Sequence, residues 1–308
     1  MHWVVVGAGA VGCYFGGMLA RAGQQVTLVA RPQHVQAIGQ HGLRVQTAQW
    51  DEHIPLQATT DIAVAAQADV VLCCIKSTDT EATGALLRPL VQPGTPVLSL
   101  QNGVDNAPRL ATAMGREPSG VVPTVVYVAT EMAGPGHVLH HGRGELVVSP
   151  FAQSAEVVHA FAQAGVPVQV SDNVLGALWA KLVVNCAYNA LSAITRLPYG
   201  PLSQEPGVWA TMRHIMDECL AVAQADGVTI PGDSWAAIEG IARTMPGQRS
   251  STAQDLMRGK PTEIAHLNGY VVRRGAAHGI ATPANALLQT LVQVLEKQAA
   301  NPATMSPS

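Results

Sequence analysis

A glycine-rich turn near the start of the chain restricts its possible folds more than any other feature does. The apolar run Trp3–Val6 is followed by Gly7, Gly9 and Gly12 in the pattern G-x-G-x-x-G, and then by a segment of helical character. In a strand–turn–helix unit the first glycine permits the tight turn, the second lets the backbone approach a pyrophosphate, and the third lets the helix pack close to the strand. The helix N-terminus adds free N–H groups and the positive end of its dipole. The sequence therefore predicts an α/β Rossmann-type domain whose cofactor contacts are Gly7, Ala8, Gly9, Ala10, Val11 and Gly12.

Trp3–Ala20 also carries no charge, and its length is close to what a bilayer span needs. Its glycines and the lack of a basic residue before it favour a β-turn-α unit over a membrane span or a signal peptide. We therefore expect no membrane association.

Composition narrows the function further. The chain has 308 residues, 48% of them hydrophobic and 13% charged, so it is long enough for two domains and must bury much of its surface, within its own core or in a homodimer. A net charge of −3 gives no electrostatic reason to expect that the protein binds nucleic acid. Five scattered cysteines without a C-x-x-C pair are typical of reduced thiols in a cytoplasmic protein. Adjacent His140 and His141 point apart on a strand and no H-E-x-x-H occurs, so no metal site is expected.

Three polar residues follow predicted strands, at the sheet edge where open α/β folds bind ligands. Arg31 follows the strand Gln25–Val29, where NAD-specific proteins usually carry an acid, and its planar fork suits a 2′-phosphate. This favours NADP, the alternative being a solvated surface arginine. Lys76 and Asn102 follow two further strands and are candidates to contact cofactor or substrate. A helix-flanking surface lysine and a turn residue of the Asn-Gly pair remain the alternatives.

The remaining pattern predicts two domains. The first covers residues 1–172. It contains the strands and helices Leu43–Gln46, His53–Leu56, Val70–Ile75, Asp79–Val91, Pro96–Leu100, Val121–Val128, Ala155–Ala164 and Val166–Val170. Within it, Gly142-Arg143-Gly144 is predicted to be the turn of a hairpin. The second domain, residues 173–308, is predicted to be all-α, with a frayed tail over 299–308. Its predicted helices are Asn173–Leu191, Glu205–Ala225, Ser234–Arg243, Pro261–Ala277 and Pro283–Gln298.

Lys181, Asn185 and Asn189 step by four residues and therefore share one face of the first of these helices. Polar groups on an otherwise apolar helix need partners if they are buried, and a buried lysine can donate a proton near neutral pH. A plain solvent face is the alternative. Ser251 is a candidate contact or a loop or N-cap serine, and Glu263 is a candidate site residue or a first-turn acid that favours the helix dipole.

These stretches together resemble the ketopantoate reductase (2-dehydropantoate 2-reductase) family over nearly the whole chain. The matching segments are Gly7–Gly12, Arg31, Lys76, Gln101–Gly103, Gly136–Gly144, Lys181/Asn185/Asn189, Ser250-Ser251 with Gln254-Asp255, Thr262–Ile264, Asn268-Gly269 and His278–Asn285. The resemblance implies NADPH-dependent reduction of a 2-oxo acid, ketopantoate to pantoate in pantothenate biosynthesis, with Lys181 as proton donor. It also implies that Asn185, Asn189 and Ser251 hold the substrate, that Asn102 lies between cofactor and substrate, and that Glu263 contacts the cofactor ribose or assists at the active site. Lys76 is expected to bind the cofactor because of its position after the strand Val70–Ile75.

Two positions depart from the family pattern. Ala265 stands where members often have Asp, and Tyr199 stands where an asparagine can meet substrate. Both leave Lys181 intact but open the possibility of a bulkier or more apolar 2-oxo acid.

Two other classes of protein remain as alternatives. A β-hydroxyacid dehydrogenase shares the Lys-x-x-x-Asn step, although Ser250-Ser251 and Thr262-Glu263 argue against it. An NADP-binding sensor or scaffold, which would need no buried Lys181, is the alternative outside enzymes.

Overall fold

The computed structural model describes residues 1–300, and packing divides them into two compact units, Met1–Val174 and the chain from Leu175 onwards. The domain limits at residues 172 and 173 stay a prediction, because a domain is defined by independent folding as well as by packing.

The first unit is built on one ten-stranded mixed sheet. Its strands are β1 His2–Val6, β2 Gln25–Val29, β3 Leu43–Gln46, β4 Asp51–Ile54, β5 Gln57–Thr59, β6 Val70–Cys73, β7 Val97–Ser99, β8 Val122–Gly134, β9 His137–Val148 and β10 Val168–Val170. Six of them lie in the order β5-β2-β1-β6-β7-β8 and pair in parallel throughout. That is the doubly wound order of a Rossmann fold, so the predicted fold class is confirmed for this unit.

Helices cover both faces of the sheet, as the alternation along β1 shows. Trp3 and Val5 belong to one buried cluster and Val4 and Val6 to another on the opposite face. The helices are α1 Ala10–Arg21, α2 Pro32–His41, α3 Thr80–Leu87, α4 Asn106–Ala113 and α5 Ser154–Gln163. The helices α2 and α4 were not predicted from the sequence. In α2 only Ile38 is buried, whereas α4 buries four of its eight residues, Asn106, Ala107, Leu110 and Ala111.

The runs predicted over Leu43–Gln46 and His53–Leu56 correspond to β3 and β4, although β4 spans Asp51–Ile54, and the two strands form one end of the sheet. The predicted hairpin around Gly142-Arg143-Gly144 is wrong. β9 runs through these residues, and the hairpin is instead formed by β8 and β9, which pair antiparallel from Thr124↔Val148 to Gly134↔His137 with register shifts between. The two glycines serve bulges inside a strand, where positive φ is needed, and not a reversal of the chain.

The described part of the second unit is helical. Its helices are α6 Val174–Thr195, α7 Tyr199–Gln204, α8 Val208–Ala225, α9 Ser234–Thr244, α10 Ser251–Met257, α11 Asn268–His278 and α12 Pro283–Ala300. The short helices α7 and α10 were not predicted. The tail predicted over 299–308 is wrong at its start, because α12 continues to Ala300; the rest of that prediction, residues 301–308, lies outside the described residues.

The helix predicted over Pro261–Ala277 is also wrong in its first half. A single 3-10 turn covers Ile264–His266, and α11 begins only at Asn268 because Leu267 has φ −107° and ψ −101°. Glu263 therefore does not lie in the first turn of an α-helix, and the dipole role considered for it does not apply.

Among the described helices, α6 alone is long and apolar enough to cross a membrane, but 67% of its apolar stretch is buried inside the protein. That burial is typical of the core helix of a folded domain. Trp3–Ala20 divides into β1, the glycine turn and α1.

Candidate active site

The glycine-rich turn has the geometry that a bound pyrophosphate requires. Gly7 has φ +99°, and a Cβ there would lie 2.8 Å from the backbone of Cys74 at the end of β6. A Cβ on Gly12 would lie 2.3 Å from the carbonyl oxygen of Gly7, so only glycine lets α1 approach the turn. A Cβ on Gly9 would meet nothing within 4 Å. The three glycines thus serve the turn, the open approach and the close packing that the sequence predicted for them.

The N-terminus of α1 is free to accept an anion. No side chain caps it, and its first turn holds no acidic residue. With the open face at Gly9, these residues fit the diphosphate of a dinucleotide, which would take the N–H groups and the positive dipole end.

Arg31 lies where the second strand of the fold ends. It precedes α2, its side chain is exposed, and it makes no side-chain hydrogen bond or ion pair within residues 1–300. An unpaired guanidinium beside the ribose position of a Rossmann fold fits a 2′-phosphate.

The Lys76 and Asn102 segments meet at the carboxyl ends of β6 and β7. The hydroxyl of Ser77 donates to the carbonyl of Asn102 at 3.1 Å, and the amide of Asn106 donates to the Ser77 oxygen at 3.0 Å. Behind them, Gln101 donates to Thr80 Oγ1 at 2.8 Å. These buried polar side chains hold the two segments side by side through hydrogen bonds that share partners.

In the second unit, α6 presents the predicted polar face. Lys181 and Asn185 are half-buried and Asn189 is 5% exposed, among the fully buried neighbours Val183 and Ala187. The side-chain amides of Asn185 and Asn189 make no hydrogen bond within residues 1–300. Semi-buried amides without protein partners beside a lysine can orient a carboxylate or hydroxyl for proton transfer.

The start of α10 is tied to this face. Ser250 is the N-cap of α10 and accepts from the N–H of Ala253 at 3.0 Å. Its hydroxyl donates to the carbonyl of Asn189 at 3.0 Å, and its N–H donates to Ser192 Oγ at 3.3 Å. Ser251 is the first residue of the helix and is exposed, so the capping role considered for it belongs to Ser250.

The two departing positions have different surroundings. Tyr199 is 9% exposed, and its ring lies 4.8 Å from that of Tyr188 on α6. The carbonyl of Ala265 accepts from Arg273 at 2.7 Å, next to half-buried Glu263. At position 199 the chain therefore has a buried aromatic ring packed against Tyr188 of α6, where members of the ketopantoate reductase family can have the side-chain amide of an asparagine.

A buried hydrogen-bond network that was not predicted from the sequence supports α6. Asn268 donates to the carbonyl of Cys186 at 3.2 Å and to Asn285 Oδ1 at 2.9 Å. Asn285 in turn donates to Glu218 Oε2 at 2.7 Å. The Asn268-Gly269 and Asn285 matches were visible in the sequence, but only the fold shows that Asn268 reaches α6 at Cys186, between Asn185 and Asn189, and that Asn285 holds Asn268 from behind.

Among the described residues, no group of three or more His, Cys, Asp or Glu side chains is placed so that it could hold a metal ion. All five cysteines are free thiols.

Comparison with known proteins decides the family. The profile of ketopantoate reductase PanE/ApbA matches residues 3–153, and that of its C-terminal domain matches residues 173–296. The chain belongs to the ketopantoate reductase family. Membership confirms the predicted resemblance, excludes the β-hydroxyacid dehydrogenase alternative, and makes the chain an oxidoreductase that uses a nicotinamide cofactor.

Relatives of the family match the chain over nearly its whole length. A 2-dehydropantoate 2-reductase from Pyrococcus horikoshii is 31% identical over 96% of this chain and 98% of its own. The crystal structure of a PanE/ApbA family ketopantoate reductase from Ralstonia eutropha JMP134 is 57% identical, covers 97% of this chain and 99% of its own, and has a TM-score of 0.93. D-mandelate dehydrogenase, solved with NADH and anilino(oxo)acetate, shares the fold at 24% identity and a TM-score of 0.89, with coverage of 97% and 99%.

Proposed function

We propose that the protein reduces a 2-oxo acid to the 2-hydroxy acid with NADPH, with ketopantoate as the first candidate substrate. The observation that carries the proposal is the Lys181–Asn185–Asn189 face of α6, whose amides have no protein partners, in a chain of this family. A cytoplasmic location and a homodimer remain predictions from composition.

Each proposed site residue has a distinct role in this reaction. When bound, the nicotinamide cofactor supplies a hydride to C2 of the oxo acid. The Lys181 ammonium stabilises the charge that develops on the ketone oxygen and donates a proton to it. Asn185, Asn189 and Ser251 hold the substrate, Asn102 lies between substrate and cofactor, and Glu263 assists at the site or contacts the ribose. Gly7–Gly12, Lys76 and Arg31 hold the cofactor, with Arg31 on the 2′-phosphate.

A panel of 2-oxo acids tests the activity. The panel compares ketopantoate with bulkier and more apolar 2-oxo acids, and we expect the absorbance of NADPH to fall when the preferred oxo acid is added. The second candidate, a 2-oxoacid reductase of different side-chain preference, is favoured by buried Tyr199 and by Ala265. NADPH binding without turnover of any member would contradict both and favour the sensor.

Arg31→Ala tests the cofactor preference. We expect the Kd for NADPH to rise about 10-fold or more, since the charge-assisted pair with phosphate is lost, while the Kd for NADH changes about 2-fold at most. Titration of cofactor fluorescence with each variant gives both constants.

Arg44→Ala is the matched control, because Arg44 is exposed and pairs with Asp51 at 2.7 Å in the β3–β4 hairpin. If the ratio of the Kd for NADPH to the Kd for NADH is the same in Arg31→Ala as in the parent, Arg31 does not bind the 2′-phosphate.

A further inference from the structure

The bulge in β9 forces an arginine into an unusual backbone conformation. Gly142, Arg143 and Gly144 have successive φ values of +147°, +61° and +142°. Within the described chain only one other non-glycine residue, Arg196, has positive φ. Such a conformation costs free energy at a non-glycine residue, and bulges of this kind re-aim a side chain.

Contacts with α1 brace this bulge. The carbonyl oxygen of Arg143 lies 2.7 Å from His140 Nε2, and the His140 ring stacks on Tyr14 with centroids 4.4 Å apart. A Cβ on Gly144 would lie 2.7 Å from the Tyr14 hydroxyl, so glycine is needed for this approach. Tyr14 lies just over one turn into α1, and the bulge is therefore fixed to the helix that begins at the glycine turn.

The re-aimed side chain lies at the ligand-binding edge of the sheet. The guanidinium carbon of Arg143 lies 4.3 Å from the centre of the Tyr127 ring. Tyr127 lies four residues beyond Pro123, the last residue of β8 that pairs with β7, or about 13 Å farther along the strand. Tyr127 thus lies beyond the carboxyl end of β7, and the segment that contains Asn102 follows that same end of β7.

Arg143 keeps hydrogen-bonding capacity. Its Nε lies 3.4 Å from Glu145 Oε2, an oxygen that also accepts from the Gly144 N–H at 3.0 Å. The two terminal nitrogens make no hydrogen bond within residues 1–300, and 46% of the side chain is exposed. A planar fork backed by an aromatic ring, with its terminal N–H groups open, suits a carboxylate.

We propose that Arg143 binds the carboxylate of the 2-oxo acid substrate and so helps determine specificity. This assignment rests on the proposed function. It gives a role to an arginine that is held at positive φ between two glycines.

Arg143→Gly tests the assignment with little risk to folding, because glycine adopts positive φ without strain. We expect KM for the preferred 2-oxo acid to rise about 10- to 100-fold, with the Kd for NADPH unchanged. Arg143→Gln, which keeps the length and loses the charge, should show a similar rise. The same substitutions should leave KM for the uncharged amide of that oxo acid unchanged, a difference that general damage to the structure would not produce.

Arg21→Ala is the matched control. Arg21 stacks over Trp50 at 4.4 Å and pairs with Glu52, with 42% of its side chain exposed, and we expect its removal to leave KM unchanged. A KM for the oxo acid within twofold of the parent in Arg143→Gly, or a rise in the Kd for NADPH instead, would overturn the assignment. Neither result would affect parent turnover of the 2-oxo acid panel, on which the proposed function itself depends.

Discussion

Replacing Lys181 with alanine is expected to lower kcat by about 10²- to 10⁴-fold, the usual contribution of a general acid. Lys181 is half-buried on α6 and lies one helical turn from Asn185, whose amide has no protein partner. Without the ammonium, the charge that develops on the ketone oxygen has neither its nearest cation nor its proton source. Steady-state oxidation of NADPH measures kcat, and cofactor fluorescence should show an unchanged Kd for NADPH.

Lys181→Arg separates charge from proton donation. An arginine keeps the positive charge but does not release its proton near neutral pH, so we expect this variant to stay slow as well. Lys297→Ala, an exposed lysine near the end of α12, is the control and should match the parent. Parent-like turnover in Lys181→Ala would remove the proposed acid, and an unaltered cellular role for that variant would favour the sensor.

Gly12→Ala is expected to lower the free energy of unfolding by about 3 kcal/mol, at the upper end for overpacking, and to abolish NADPH binding. The added Cβ would lie 2.3 Å from the Gly7 carbonyl oxygen, a main-chain atom that cannot rotate away as a side chain does. Either α1 moves away from the turn or the turn opens, and both destroy the approach to the phosphates. Chemical denaturation and cofactor titration measure the two effects.

Gly9→Ala is the matched substitution in the same turn. Nothing lies within 4 Å of its added Cβ, so we expect unchanged stability, whereas the methyl group would occupy the open approach to the turn and weaken NADPH binding. Equal stability of Gly12→Ala and the parent would contradict the close packing. Parent-like NADPH affinity in Gly9→Ala would show that the diphosphate does not approach this face.

Local patterns predicted the parts of the site that depend on nearby residues. The glycine spacing predicted the turn and its three distinct roles, and the step of four predicted the shared face of Lys181, Asn185 and Asn189. The positions of Lys76 and Asn102 after buried strands predicted their common edge. Each of these depends on the chirality and period of one or two consecutive elements, which a sequence displays directly.

Long-range packing accounts for the errors. Gly142-Arg143-Gly144 has the composition of a turn, yet it lies within β9 because β8 supplies a pairing partner on the far side of the Gly134–His137 reversal. Glu263 lies two residues after a proline and precedes an apolar run, yet only a 3-10 turn forms there before the non-helical backbone of Leu267. The N–H of Thr262 donates to Glu296 of α12 at 2.6 Å, a contact with a distant helix. Composition alone does not contain such partners.

The sequence by itself determined the Rossmann-type fold, the helical second half, the family and the residues proposed to hold the cofactor and donate the proton. It did so because glycine positions and apolar periods follow from backbone sterics within short stretches. Only the tertiary structure decided that Asn268 and Asn285 support α6 and that Arg143 points over Tyr127. Those contacts join residues between 16 and 82 positions apart, and they form only when burial brings distant segments together.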